Sequence, residues 1–231
     1  MSSFPPWAAN TVLGILSKTS IKGTAKYLEM TPPNPFSFDG VRRRSMEVRR
    51  LVMLDQYPRE YRRALQNSLN VRQLERYLER SVPIFVFGPL MLPSFLKAMT
   101  EADSCMDQAR HMTQASLLRY ELHLFEETNL PLAKATGRDS DYVDGMLVFN
   151  LTPQRRGWIH DLEASNETKL ENVQVEVTLE DGTLCPIEAG AFVWTRPIHD
   201  GIVPAKTKEW RVDGFLMSPW YETTTVGYDS C

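Results

Sequence analysis

Along this chain the spacing of hydrophobic and polar residues changes twice. Residues 1–41 show no apolar periodicity, and the cluster Thr31-Pro32-Pro33-Asn34-Pro35 predicts an extended arm. From Ser45 the residues Met46, Arg49, Arg50, Met53 and Leu54 fall at helical spacing up to Pro58, and Tyr61, Ala64, Leu65 and Leu69 continue the pattern beyond it. Asn70 is a good N-cap with Gln73 three positions on, and Val71, Leu74, Tyr77 and Leu78 share one face of the helix that follows. After Ser81 the pattern turns to strands. Pro83-Ile84-Phe85-Val86-Phe87 is a short apolar run suited to a buried strand, Gly88-Pro89 breaks it, and Pro93 opens a helix with Phe95, Leu96 and Met99 inward. Residues 114–118, 120–125, 130–135 and 143–149 read as strands. Thr152-Pro153 caps and starts a helix running to Glu163. Val173, Val175, Val177 and Leu179 alternate with polar residues, and Asp181-Gly182 turns the chain into a partner strand ending at Phe192-Val193-Trp194. The aromatic tail from Trp210 to Tyr221 closes the body as a helix or loop.

Charge follows the same division. The 231 residues carry a net charge of -3, but residues 42–80 hold 11 Arg against 5 acids, a net +6, and residues 81–231 carry -10. A basic collar therefore precedes an acidic body. Clustered arginines bind phosphate backbones by releasing counterions. Here Glu47, Asp55, Glu60, Glu75 and Glu79 interleave them and no recognised nucleic-acid module accompanies them, so a solvated or docked helix face is the expected reading and no nucleic-acid partner is expected. The composition, 42% hydrophobic and 24% charged, is globular. No run approaches the roughly 20 apolar residues of a membrane span, and the opening residues lack the pattern of a secretory signal. A cytoplasmic protein without a membrane partner is expected. Cys105, Cys185 and Cys231 are widely separated, and the four histidines form no HxxxH or HxH pair, so neither a disulfide framework nor a metal site is expected. Neither Cys105 nor Cys185 has a basic cluster or a recognisable histidine partner to activate it.

Two places could carry chemistry. The turn Phe87-Gly88-Pro89-Leu90-Met91 links a buried strand to a helix, and such a turn exposes backbone N–H groups able to hold a carboxylate or an oxyanion. Glu163 ends an amphipathic helix in the stretch IHDLEAS, where Ile159 and Leu162 anchor it against the core. Burial there would raise its carboxyl pKa and make it a proton acceptor near neutrality.

The order of these features resembles the gamma-glutamylcyclotransferase-like superfamily, in particular its fungal and plant avirulence-induced-gene-like branch. The family's opening, hydrophobic-Phe-Val-Tyr-Gly-(Thr/Ser)-Leu-Met-x-Pro, is similar to Ile84-Phe85-Val86-Phe87-Gly88-Pro89-Leu90-Met91-Leu92-Pro93. Its central strand is similar to Val143-Asp144-Gly145-Met146-Leu147-Val148. Its Leu-Asp-x-(Phe/Tyr)-Glu-Gly element is similar to Ile159-His160-Asp161-Leu162-Glu163-Ala164. The resemblance implies an α+β fold, a small mixed β-barrel with flanking helices, occupying residues 81–231 and preceded over residues 1–80 by the arm and a helical extension. It implies a small-molecule substrate, no cofactor and no metal, with Glu163 as general acid/base and Phe87, Gly88, Pro89, Leu90 and Met91 holding a gamma-glutamyl unit that is cyclised to 5-oxoproline. It implies nothing about oligomeric state. Phe87 replaces the usual Tyr, Pro89 the Thr or Ser, Ala164 the Gly after the acid, and Leu170 and Asn172 a following Tyr and Arg. These departures suit a divergent substrate, a related lyase or isomerase, or a relative that binds a small molecule or a protein without turnover.

Overall fold

A computed structural model describes residues 51–228; the expected arm and the arginines up to Arg50 lie outside them. The helical spacing expected up to Pro58 does not produce a helix at residues 51–58, which are irregular and then turn. Their backbone donors go elsewhere: Leu51 N–H to Gln114 Oε1 at 2.6 Å and Val52 N–H to Glu209 Oε2 at 2.9 Å. Pro58 also disfavours a helical residue before it.

The helix α1 (Arg59–Gln66) follows, and α2 (Val71–Leu78) starts at a capping box in which Asn70 and Gln73 satisfy each other's backbone N–H groups. Apart from the half-buried Arg62, the arginines of both helices face solvent, and each helix buries one apolar stripe, so that Tyr61, Leu65, Leu69 and Leu74 share a single hydrophobic core with the strands. Asn67 fixes the end of α1 by donating to Met112 O at 2.6 Å and accepting from Thr113 Oγ1 at 2.7 Å.

The strands are β1 (Ile84–Val86), β2 (Met112–Leu118), β3 (Tyr120–Phe125), β4 (Pro131–Ala135), β5 (Tyr142–Val148), β6 (Thr168–Thr178), β7 (Leu184–Trp194) and β8 (Ile202–Pro204). Neighbours run in the order β1-β5-β2-β6-β7-β4-β3-β8, and a further β1–β7 pairing closes the first five into a barrel. A closed ring of five strands cannot alternate direction throughout, so one pair must be parallel, and that pair is β1–β7. The α+β barrel with flanking helices is thus observed. Two details differ from expectation. β6 begins at Thr168 rather than Val173, because its edge residues pair with the far end of β7 despite being exposed, and β8 lies in a Pro- and Lys-rich stretch without periodicity.

Inside the barrel Phe85 lies over Gly145, where an added Cβ would come within 2.6 Å of its ring and 2.5 Å of Val86 O. Two valines of β6, Val175 and Val177, are fully buried there. The tail forms α5 (Asp213–Leu216) and α6 (Pro219–Thr225), while α3 (Pro93–Met99) stands between them and the barrel. Phe95 meets Phe215 and Trp220 edge to face with centroids 5.1 and 5.4 Å apart, and Ser94 and Tyr221 share a 3.0 Å hydrogen bond. Lys97 is fully buried, with Nζ donating to Glu60 Oε1 at 2.9 Å, Ser104 O at 2.8 Å and Tyr228 O at 3.2 Å.

Candidate active site

The turn after β1 is a single 3-10 turn, Gly88–Met91, entered from Phe87 in an extended conformation. Gly88 has φ of +79°, and a Cβ there would lie 2.6 Å from Pro131 Cγ, so both the left-handed backbone and the close approach of β4 require glycine. The five residues differ in what they can offer. Leu90 and Met91 send their side chains into the core, leaving only backbone for a ligand. Phe87 is half-buried with its ring 6.2 Å from that of Phe85, and Pro89 has no N–H to give.

Glu163 comes from the last turn of α4 (Pro153–Glu163). The helix starts as its sequence dictates, with Thr152 Oγ1 accepting from Arg155 N–H at 3.3 Å and Pro153 in the first turn. Ile159 is buried, and Arg156 donates through Nη2 to Val82 O, fastening the helix to the chain just before β1. Glu163 follows Ile159 by four residues and His160 by three, which puts all three on neighbouring positions of one face. The His160 ring meets Phe192 of β7 at 6.0 Å.

Phe192 occupies a distinctive position. β7 gives one edge wholly to β6 and divides the other, with Gly190 and Ala191 beside Ile84 and Phe85 of β1 and Trp194 beside Lys134 of β4. Phe192 and Val193 lie where the edge passes from one strand to the other, and Gly88 touches the start of β4 at the same passage. The helix carrying Glu163 and the glycine turn therefore both contact elements that meet at this break in pairing, though no hydrogen bond joins Glu163 to the turn.

The Glu163 carboxyl is half-buried, and burial alone pushes it up from 4.5 to about 7. It makes no hydrogen bond or ion pair with the described residues. A carboxyl without cationic or N–H partners has nothing to hold its charge, so it exchanges a proton near neutrality. Cys185, by contrast, is buried with its thiol pushed up to about 11, which suits an inert core residue.

A reading by apolar pattern missed two groups. Tyr120, half-buried on β3, has its phenol pushed up by burial and then by the charge of the nearby Glu171 on β6. Arg155 is buried inside α4, and the only available signal was the adjacent pair Arg155-Arg156 ahead of the apolar Trp158 and Ile159.

Residues 84–212 match the family described as gamma-glutamyl cyclotransferase, AIG2-like. Among solved structures the chain is similar to two proteins of Arabidopsis thaliana. At5g39720.1 is 14% identical, with a TM-score of 0.43 over 63% of this chain and 85% of that one. At3g28950.1 is 16% identical, with a TM-score of 0.41 over 63% and 78%. No curated protein matches the chain. Because the matched residues span more than half of the sequence and contain both the glycine turn and the buried acid, the chain belongs to the gamma-glutamyl cyclotransferase, AIG2-like family.

Proposed function

We propose that this protein is a cyclotransferase-like lyase that converts a gamma-glutamyl amine, a gamma-glutamyl peptide or a glutathione-derived conjugate to 5-oxoproline and the free amine. The observation that carries the reading is Glu163, the acid that the resemblance aligns with the family's, with its carboxyl held near 7 by burial and no partner among the described residues to fix its charge. The carboxylate takes a proton from the substrate's α-ammonium. The freed amine attacks the γ-carbonyl carbon, forming the ring C–N bond. Protonated Glu163 then gives that proton to the departing nitrogen as the original amide bond breaks, and the second proton of the ring nitrogen passes through the same carboxylate to the released amine, leaving a neutral lactam and an ammonium. No water is consumed, and nucleophile and electrophile belong to one molecule, so orientation supplies much of the acceleration. Phe87 and Pro89 wall the site and the backbone at Gly88, Leu90 and Met91 faces the glutamyl unit. We also propose residues 81–231 as the catalytic unit, with the arginine-rich helices before it as an accessory that packs on it.

One observation favours a second reading, a relative that binds without turnover: Pro89 removes a backbone donor and Phe87 a phenol hydroxyl from the turn. Offering the purified chain a panel of gamma-glutamyl compounds, and following 5-oxoproline beside Glu163→Gln, separates the two. The lyase reading expects the substitution to lower kcat by about 10²–10⁴. Equal product from both proteins would remove Glu163 from the mechanism. Saturable binding of these compounds with no product would establish the second reading.

A further inference from the structure

A second cluster, at the opposite end of α4 from Glu163, has donors that the fold leaves poorly matched. Arg155 is buried, yet among the described residues its guanidinium meets only neutral acceptors: Nε donates to Thr100 Oγ1 at 3.0 Å, Nη2 to Gln108 Oε1 at 2.7 Å and Nη1 to the thioether of Met106 at 3.4 Å. A thioether is a weak acceptor, and a buried cation without a counter-charge is costly. Gln108 is fully buried and spends its carbonyl on Arg155, which leaves its amide Nε2 with no hydrogen-bond partner among the described residues.

More positive charge surrounds this niche. His111 ends the 3-10 turn that Gln108 begins, and it stands half-buried with Nδ1 3.3 Å from Tyr77 Oη and 3.2 Å from Asn150 Nδ2. Its imidazole is held below the usual histidine range by burial first, then by the charges of Arg110, Arg155 and Arg80, with Asp107 opposing them. Asp107 is engaged through Oδ2, which receives Arg63 Nη2 at 2.6 Å, while its Oδ1 is buried with no hydrogen-bond partner among the described residues. Glu60 likewise gives Oε1 to Lys97 while its Oε2 is buried with no hydrogen-bond partner among the described residues.

We propose that the niche around Arg155 and Gln108 is a second ligand site, taking a compact oxyanion of the phosphate or sulfate type. Its oxygens would accept from the Arg155 guanidinium in place of the Met106 sulfur and from the Gln108 amide. Arg80 and Arg110, both exposed, would draw the anion in and complete its charge balance. Thr100, Met106 and Gln108 belong to the chain between α3 and β2, so an anion here would tie that connection to the start of α4. The site is independent of the Glu163 chemistry.

The test titrates the full chain with inorganic phosphate, sulfate and phenyl phosphate at constant ionic strength against a chloride control, following heat of binding and the His111 ring resonances. Saturable one-site binding is expected, with the His111 pKa rising as the anion offsets the arginines. The stronger of free phosphate and phosphomonoester identifies the source. Arg155→Met should abolish binding. Arg80→Ala with Arg110→Ala, which changes only exposed positions and keeps the fold, should weaken it about tenfold or more, because two positive charges that draw the anion in are removed. No heat or shift beyond the chloride control would overturn the proposal. So would binding that the Arg80→Ala, Arg110→Ala protein retains in full, whether or not the Arg155 variant folds.

Discussion

Lys97 and Glu163 are both ionisable groups taken out of water, and the fold treats them in opposite ways. Around Lys97 three acceptors from three different parts of the chain, Glu60, Ser104 and Tyr228, meet the three protons of one ammonium. Around Glu163 the described residues supply no donor, and burial alone raises its carboxyl to about 7. A charge that is buried and fully partnered joins segments; a charge that is buried and unpartnered is left able to change its protonation state. The difference separates a structural clasp from a candidate proton carrier without reference to either residue's type.

The largest contrast lies in what each side chain should do when removed. Glu163→Gln should cost about 10²–10⁴ in turnover while leaving the molecule folded. Lys97→Met should do the reverse, destabilising by about 3–5 kcal/mol because the Glu60 carboxylate stays behind, buried and unpaired, and leaving the pH dependence of any activity unchanged. Chemical unfolding of Lys97→Met beside Lys97→Met with Glu60→Gln checks this, since the second protein should recover a good part of the loss. Equal instability of the two would mean that the clasp acts through packing alone.

A smaller effect sharpens the other side. The carboxyl of Glu163 is raised in the folded state, so the native protein binds the extra proton between pH 4.5 and about 7 and loses that share of stability as pH rises through this window. Glu163→Gln carries no such charge. It should be more stable than the parent at pH 8, by up to about 3 kcal/mol, with the gain vanishing near pH 4. Urea unfolding at both pH values measures it, and a substitution that destabilises at pH 8 would show that Glu163 has partners there. Smaller again, Gly88→Ala should destabilise by about 1–3 kcal/mol, since it forces a Cβ against Pro131 at a φ of +79°. Thermal unfolding would register this as a lower midpoint.

How much of this was legible in the sequence depends on whether the signal was local. The capping box at Asn70, the Thr152-Pro153 start of α4 and the Asp181-Gly182 hairpin use neighbours in the chain, and the structure contains all three. Barrel closure was not local: β1 pairs with β7 across about a hundred residues, and only the family resemblance pointed to it. Residues 51–58 were misread because side chains of Gln114 and Glu209 capture backbone donors that a periodic pattern assigns to a helix. At the site, Ile159 and Leu162 signalled that Glu163 is held against the core, but nothing in the sequence indicated the divided edge of β7 to which both its helix and the glycine turn connect. Arg155 was hidden for the opposite reason, a charged residue at a buried helical position.

The most direct test is the pH profile of kcat/KM for release of 5-oxoproline from the best gamma-glutamyl substrate. Glu163 must be ionised to accept the first proton, so the rate should fall about tenfold for each pH step below an apparent pKa near 7 and level off above it, and the Glu163→Gln protein should lose that dependence together with about 10²–10⁴ of the rate. A profile flat from pH 5 to 9, or one shared by the Glu163→Gln protein, would contradict the assignment of Glu163 as the proton carrier.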